Sequence, residues 1–248
     1  LLGLNAIEDI DLQKVFSLED RTLLRHSSLI GFYNNKWSFD NAIFQEHLAG
    51  IVLADMDITT IIATISIGKW LKKIKAKWIQ TVASLLSFLS KSSDTYQKLL
   101  TFILEDNIEL IFTTEESKFS TDEKIDFLNK LFARCKKYKI RPQIIDTRTI
   151  ASFIESSNEC KNIVINQIAD EQNSIGLKTT CINVLGIMEL TFQQKVDLYN
   201  VCKKSINETN DSYYQREVLE TLASHNIGDR TFINNLIIII IYLLICNV

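Results

Sequence analysis

The chain is poor in the residues that interrupt regular structure, with one proline and seven glycines among its 248 residues. This scarcity argues against all-β and loop-rich folds, which need such residues at their turns. Charged residues make up 23 % of the chain and hydrophobic residues 46 %, as in ordinary globular proteins. The net charge of −3 gives no overall attraction for nucleic acid. The composition therefore indicates a mainly all-α globular protein of one large or two small domains.

The sequence also lacks the common motifs of catalysis, phosphate binding and metal binding. The stretch 67–70 (Ile-Gly-Lys-Trp) has a Gly-Lys pair, but neither the upstream glycine nor the following Ser or Thr of a phosphate-binding loop. The cysteines form no CxxC pair and the histidines are isolated; they are Cys135, Cys160, Cys181, Cys202, Cys246, His26, His47 and His225. We therefore predict no catalytic residue, metal site or cofactor in this chain. The cysteines are predicted to be small buried residues in a reducing, cytoplasmic compartment.

The stretch Leu29–Ala54 has the most specific pattern in the chain. Two short apolar runs flank Asn34-Asn35, a pair that tolerates the left-handed backbone of a two-residue hairpin. Asp40 is predicted to cap a following helix, and Phe39 and Phe44 have the spacing of a hydrophobic staple. The predicted buried stripe of this helix is Phe44, Leu48, Ile51 and Val52. The pattern predicts a β-hairpin, or wing, that leads directly into an amphipathic helix.

The residues before the hairpin are predicted to form two short helices. Their packing residues are predicted to be Ile7, Ile10, Val15, Leu18, Leu23 and Leu24. Helices followed by a β-wing and another helix make a winged-helix arrangement, which we assign to residues 1–55. The alternative is a plain helical bundle whose linker happens to alternate.

Residues 56–248 are predicted to be a series of helices, with a possible sub-boundary near residues 140–146. The predicted caps are Asp57, Asp94, Ser120 (a capping box with Glu123), Asp146, Thr191 (a capping box with Gln194) and Asp211. Apolar pairs recur at offsets of 32 and then 37 residues: Ile150/Phe153, Ile182/Leu185 and Leu219/Leu222. Such offsets favour a HEAT-like α-solenoid of paired helices. The alternative is an irregular helical domain without a true repeat.

Both chain ends of this sequence are unusual. It begins without an initiator methionine or a secretory pattern, which we interpret as a piece of a longer protein or a translated partial sequence. Residues 236–246 are eleven consecutive apolar residues, whereas a membrane-spanning helix needs about 20. We prefer a buried terminal element for this run, then a truncation or frameshift product, then a tail anchor. A membrane partner is therefore not favoured.

Five lysines and two tryptophans are concentrated in residues 69–78. We call the members Lys69, Trp70, Lys72, Lys73, Lys75 and Lys77 the lysine cluster. The functional hypothesis is a surface patch for phosphate groups or another anionic partner, with Trp70 or Trp78 stacking. The favoured interpretation is a solvated corner between helices whose tryptophans point inward.

The stretch 39–49 resembles the end of the winged-helix region in NACHT-type STAND proteins, which are signal-transduction ATPases. That family typically has Phe-x-His-x-x-Phe-Gln-Glu-Tyr-Leu-Ala-Ala there. The matching residues are Phe39, Phe44, Gln45, Glu46, Leu48 and Ala49, and the resemblance covers roughly residues 9–55. Asn41 stands at the position of the family's histidine, which can lie near the phosphates of the bound nucleotide. Gly50 stands at the position of the second alanine.

The resemblance implies an ATPase core, with ATP and Mg²⁺, upstream of Leu1. It also implies a protomer that is closed at rest, and C-terminal repeats that sense a ligand, possibly a viral protein, and release the core to form a homo-oligomer. Our leading hypothesis is the non-enzymatic C-terminal sensor portion of such an antiviral STAND ATPase. The alternative is a free-standing helical-repeat scaffold that binds proteins. A nucleic-acid-binding winged helix ranks last, because residues 41–54 contain no Lys or Arg.

Overall fold

The computed structural model describes residues 6–68, 72–207 and 209–227. These residues are mainly helical with one small antiparallel sheet near the N-terminus, which confirms the predicted fold class. The chain divides into two compact units between Asn107 and Ile108. The predicted boundary after residue 55 does not coincide with this division. The predicted apolar run 236–246 lies outside the described residues.

The first unit begins with a three-stranded sheet in the order β1-β3-β2. The strands and the short helices beside them are β1 (Ile7–Glu8), α1 (Asp9–Leu12), α2 (Leu18–Arg25), β2 (Ile30–Tyr33) and β3 (Lys36–Phe39). Asn34 and Asn35 have φ angles of 49° and 60°, the left-handed pair that a two-residue hairpin needs. The predicted hairpin is therefore confirmed, whereas β1 was expected to be helical.

The apolar residues before the hairpin are largely exposed, contrary to the expected helix packing. Ile10, Val15, Leu18 and Leu23 are exposed, and Leu12 is the buried residue of α1. Both helices are only one or two turns long, so each can bury few side chains.

A polar contact at Asp9 ties α1 to the hairpin. The Asp9 carboxylate accepts hydrogen bonds from Trp37 Nε1 at 2.8 Å and from Gln13 Nε2 at 2.7 Å, and Arg21 lies 3.3 Å away. The bond from Trp37 is the main cause that lowers the pKa of Asp9 below its ordinary value. The Arg25 guanidinium lies 4.2 Å from the ring centroid of Phe32, a cation–π contact on the same hairpin.

Beyond the hairpin, the described residues of the first unit form a short 3₁₀ turn (Ala76–Trp78) and four α-helices. The α-helices are α3 (Ala42–Ala54), α4 (Ile58–Ile65), α5 (Ile79–Phe88) and α6 (Asp94–Asp106). Helix α3 packs against α5, and α4 packs against α6. Asp57 caps α4 as predicted, but the caps of α3 and α6 are Asn41 and Ser93, each one residue away from the predicted aspartate.

The face of α3 that is buried differs from the predicted stripe. Ala49, Gly50 and Leu53 are buried, whereas Ile51 and Val52 are 42 % and 45 % exposed. The reason is close packing on α5 at Gly50. A Cβ atom at this position would lie 3.1 Å from Ser84 Cβ and 3.2 Å from the Leu85 backbone nitrogen. The small residues of α3 therefore face the neighbouring helix and its β-branched residues do not.

The described residues of the second unit begin with two 3₁₀ segments and continue with six α-helices. The 3₁₀ segments are Ile108–Thr113 and Glu116–Lys118, and the helices are α7 (Thr121–Tyr138), α8 (Thr147–Ile154), α9 (Asn158–Ala169), α10 (Ile175–Gly186), α11 (Phe192–Ser205) and α12 (Ser212–Ser224). Helix α9, which Ser157 caps, was not predicted. The caps predicted at Ser120, Asp146, Thr191 and Asp211 are present.

These helices pack alternately, which gives the second unit a solenoid-like, two-layered form. In the first layer α7 packs on α9 and α9 packs on α11; in the second, α8 packs on α10 and α10 packs on α12. The recurring apolar pairs predicted from the sequence are all buried and lie on α8, α10 and α12. They therefore occupy equivalent helices of successive helix pairs.

The described residues of the second unit form three helical hairpins, α7–α8, α9–α10 and α11–α12. In each of them a lysine of the first helix forms a hydrogen bond at the end of the second helix. Each lies four residues after the N-cap: Lys124 after Ser120, Lys161 after Ser157 and Lys195 after Thr191. Their Nζ atoms lie 3.0 Å from Ser156 Oγ, 2.8 Å from the Glu189 carbonyl and 3.4 Å from the His225 carbonyl, respectively. We call these three residues the closing lysines. They repeat more regularly than the apolar pairs and identify the repeat unit as a helical hairpin.

The close approach of α3 and α5 predicts that Gly50→Val destabilises the first unit. Valine would place methyl groups against the α5 backbone, and overpacking of this kind costs about 1–3 kcal/mol. The measurement is urea unfolding followed by far-UV circular dichroism. Gly68→Val is the matched control because a Cβ atom at Gly68 meets nothing within 4 Å. Equal losses in the two variants would contradict the packing argument.

The closing lysines predict that Lys161→Met destabilises the second unit by about 1–3 kcal/mol, since the part-buried Glu189 carbonyl loses its donor. Lys161 is 5 % exposed, so solvent replaces this contact poorly. Lys130→Met is the control, because the Lys130–Asp126 pair on α7 is solvent-exposed and contributes less than about 1 kcal/mol. Thermal unfolding of both variants measures the difference. A Lys161 variant as stable as the Lys130 variant would refute the role of the closing lysines.

Candidate functional site

Asn41, at the position of the family histidine, caps α3. Its Oδ1 atom accepts a hydrogen bond from the Ile43 backbone N–H at 2.8 Å, and the residue is exposed. This contact satisfies one of the N–H groups that the first turn of a helix leaves without a partner. The geometry therefore gives Asn41 a helix-capping role.

The other motif residues lie on both sides of α3. The rings of Phe39 and Phe44 are in contact, with centroids 6.1 Å apart. Gln45, Glu46 and Ala49 line a cavity, while Leu48 is half-buried. His47, which follows the motif glutamate, packs edge-on against Phe88 of α5 at a centroid distance of 4.7 Å.

The lysine cluster divides among several local contacts where the structure describes it. Lys72 pairs with Glu105 at 2.6 Å, which raises the pKa of Lys72, and the Lys75 ammonium donates to the Thr64 carbonyl at 2.9 Å. Lys73 is exposed, and Lys77 lines the cavity on α3. Lys69 and Trp70 lie outside the described residues.

Trp78, which follows the lysine cluster, is buried as the favoured interpretation requires. Its ring stands where α5 begins, beside the surface of α3. Among the described members of the cluster, Lys72 already pairs with the Glu105 carboxylate and Lys75 already donates a hydrogen bond to the Thr64 carbonyl. A phosphate-binding patch at 69–77 stays a prediction.

The cavity on α3 brings together residues that the sequence analysis had treated separately. It has a volume of about 120 Å³ and is lined by Ala42, Gln45, Glu46, Ala49, Lys77, Trp78 and Thr81. The motif residues come from α3, and Lys77 and Trp78 come from the segment that leads into α5. The Glu46 carboxylate, the Lys77 ammonium group and the Gln45 amide line a space large enough for a few non-hydrogen atoms. This chemistry suits the recognition of a small polar group, such as the end of a side chain.

The thiols of the described cysteines are buried and free. Burial raises the pKa of Cys135 to about 12 and also raises the pKa values of Cys160, Cys181 and Cys202. A thiol with a raised pKa is a poor nucleophile at neutral pH. The prediction that these four residues act as small buried apolar side chains is confirmed, and Cys246 lies outside the described residues.

A second candidate site, not predicted from the sequence, lies between α9 and α11. Two cavities of about 240 Å³ and 190 Å³ follow each other along these helices and share Asn200 and Val201 in their walls. Asn162 and Asn166 of α9 line the larger cavity. The sequence shows that these two asparagines are four residues apart and so lie on one helix face. It does not show that α11 packs beside this face and forms the other side of the cavity.

Within the described residues, no group of three or more His, Cys, Asp or Glu side chains is arranged to hold a metal ion. Among the same residues, no helix is both long enough and apolar enough to cross a membrane. The chain matches no family model, no curated protein and no solved structure at a significant level.

The capping geometry predicts that Asn41→Ala lowers the stability of the first unit by about 1 kcal/mol. Asn41→Asp keeps a capping oxygen and is expected to stay close to the wild type. Denaturant unfolding of the three proteins measures this difference. If the aspartate and alanine variants lose equal stability, capping is not what Asn41 contributes.

Proposed function

We propose that this chain is the C-terminal, ligand-recognising portion of a STAND-type ATPase, with a winged-helix-like segment followed by helical repeats. The observation that carries the proposal is the order of its parts. A β-hairpin leads into the Phe-Gln-Glu helix α3, and stacked helices follow it. The hairpin, the capped helix and the contact between Phe39 and Phe44 support the resemblance at the level of local structure.

In this proposal the chemistry belongs to an upstream core that binds ATP and Mg²⁺. The residues described above supply recognition and restraint. The repeats bind a protein ligand, such as a viral protein, through side chains between neighbouring helices, and this binding releases the core for homo-oligomerisation in the cytoplasm. Nucleic acid and membranes are not proposed partners, since α3 carries no cation and the net charge is negative.

A free-standing helical-repeat scaffold is the second candidate function. The observation that favours it is the contact of Asn41, whose side-chain oxygen is used to cap α3 at the position where the resemblance implies a nucleotide contact. The genomic sequence upstream of the Leu1 codon separates the two functions. A phosphate-binding loop and a Walker-B strand within about 300 residues support the ATPase relationship. An upstream reading frame without them favours the scaffold.

The proposal predicts that the purified 248-residue chain neither binds nor hydrolyses ATP. The measurements are isothermal titration with Mg–ATP and a phosphate-release assay. The full-length protein, once its gene is known, serves as the positive control. Micromolar ATP affinity or steady turnover by the 248-residue chain would refute the proposed division of labour.

A further inference from the structure

The two cavities between α9 and α11 are adjacent and share Asn200 and Val201 in their linings, and together we call them the groove. Along α9 the lining residues advance from Asn162 to Ala169, and along α11 they advance from Asp197 to Ser205. Both helices therefore run in the same direction past the groove. Residues 162–169 span about 10 Å of helix axis at 1.5 Å per residue. This length fits about three residues of extended peptide, each of which rises about 3.3 Å.

Amide and aliphatic side chains make up most of the groove's lining, and Asp197 and Lys204 are its charged members. Asn162 and Asn166 stand on the α9 side and Asn200 stands on the α11 side. The aliphatic residues of the groove are Ile165, Ile168 and Val201. An asparagine carboxamide offers a donor and an acceptor together, which is also what the backbone of one peptide residue offers on one side. The groove therefore has the chemistry to bind polypeptide backbone.

One wall of the groove is held in place by a buried side chain. Gln194 is 3 % exposed, and its Nε2 atom donates to Asn162 Oδ1 at 3.0 Å and to the Asn158 carbonyl at 3.2 Å. Its Oε1 atom accepts the Thr191 backbone N–H in the capping box of α11. The Asn162 amide is thus fixed in orientation before any ligand binds, which reduces the entropy cost of binding.

The spacing of the asparagines matches an extended peptide. Asn162 and Asn166 are four residues apart, or about 6 Å along the axis of α9. Alternate residues of an extended chain repeat every 6–7 Å or so and present their N–H and C=O groups to the same side. Among the described residues that line the larger cavity, Asp197 carries the only charge, so this end of the groove favours a basic side chain.

We propose that the α9–α11 groove binds an extended segment of a partner protein through its backbone, with alternate residues paired to Asn162 and Asn166, Asn200 on the opposite wall and a basic residue at Asp197. This inference rests on the proposed function, protein recognition by the helical repeats, and names the class of ligand. The backbone pairing fixes the extended conformation, and the carboxylate of Asp197 selects among sequences.

The test uses the complete 248-residue chain and a phage-displayed library of random heptapeptides. Enriched peptides are synthesised, and their affinities are measured for the wild type and for an Asn166→Ala/Asn200→Ala double variant. Both asparagines are exposed, so the double variant is expected to fold, which circular dichroism checks. We expect enriched peptides with a Lys or Arg and at least about a tenfold loss of affinity in the double variant. Asn129→Ala, an exposed asparagine of α7 outside the groove lining, is the control and is expected to bind like the wild type.

A second measurement depends on the peptide alone. N-methylation of the enriched peptide at one residue removes a backbone donor, and the proposal expects a loss at alternate positions but not at the residues between them. Equal binding to the wild type and the double variant would overturn the groove as the site, while leaving peptide recognition by the repeats intact. A failure to enrich any peptide would overturn the inference as well. Neither result affects the upstream-gene test of the proposed function.

Discussion

The second unit depends on how each helical hairpin closes. In each hairpin a lysine ammonium group near the start of the first helix donates a hydrogen bond to an oxygen atom just past the end of the second helix. At that end the helix dipole is negative and the last carbonyl groups lack partners within the helix. Burying a lysine is costly unless its charge is paired and hydrogen-bonded. Lys161 meets this requirement with the Glu189 carbonyl at 2.8 Å and with Glu155 at 3.3 Å. In each hairpin the closing lysine therefore connects the start of the first helix to the end of the second.

The first unit achieves the same alternate packing by a different means. Helix α3 approaches α5 at a position without a side chain, so closely that an added Cβ atom would lie 3.1 Å from Ser84 Cβ. From propensity alone, glycine at Gly50 would only weaken α3 by about 1 kcal/mol relative to alanine. The structure supplies the compensating gain, because the glycine admits Ser84, Leu85 and Phe88 of α5 against the helix. The departure from the family pattern at this position is thus accompanied by a specific packing arrangement.

The sequence predicted local structure well and inter-helix geometry poorly. Ser120 and Thr191 each accept a hydrogen bond from a backbone N–H only three residues later in the chain. Because such a cap depends on neighbouring residues alone, it could be predicted from the sequence. Where two neighbouring residues can both cap, as at Asp40-Asn41, sequence alone does not choose between them. Helix α9 was missed because a lysine, Lys161, occupies one of its buried positions. The other buried residues of the helix are Cys160, Val164, Ile165 and Ile168. Both candidate sites depend on distances between helices, which no local pattern encodes.

The groove between α9 and α11 is coupled to the elements that hold the hairpins together. Gln194 and Lys195 are neighbours at the start of α11, yet they serve different contacts: Gln194 bonds across to α9, and Lys195 bonds to the end of α12. A ligand that contacts the Asn162 amide therefore acts on a residue whose hydrogen-bond partner, Gln194, also belongs to the capping box of α11. Any shift of α11 relative to α12 would strain the closing contact at Lys195. The walls of the groove and the closure of the last hairpin consequently share one short segment of chain, residues 191–195.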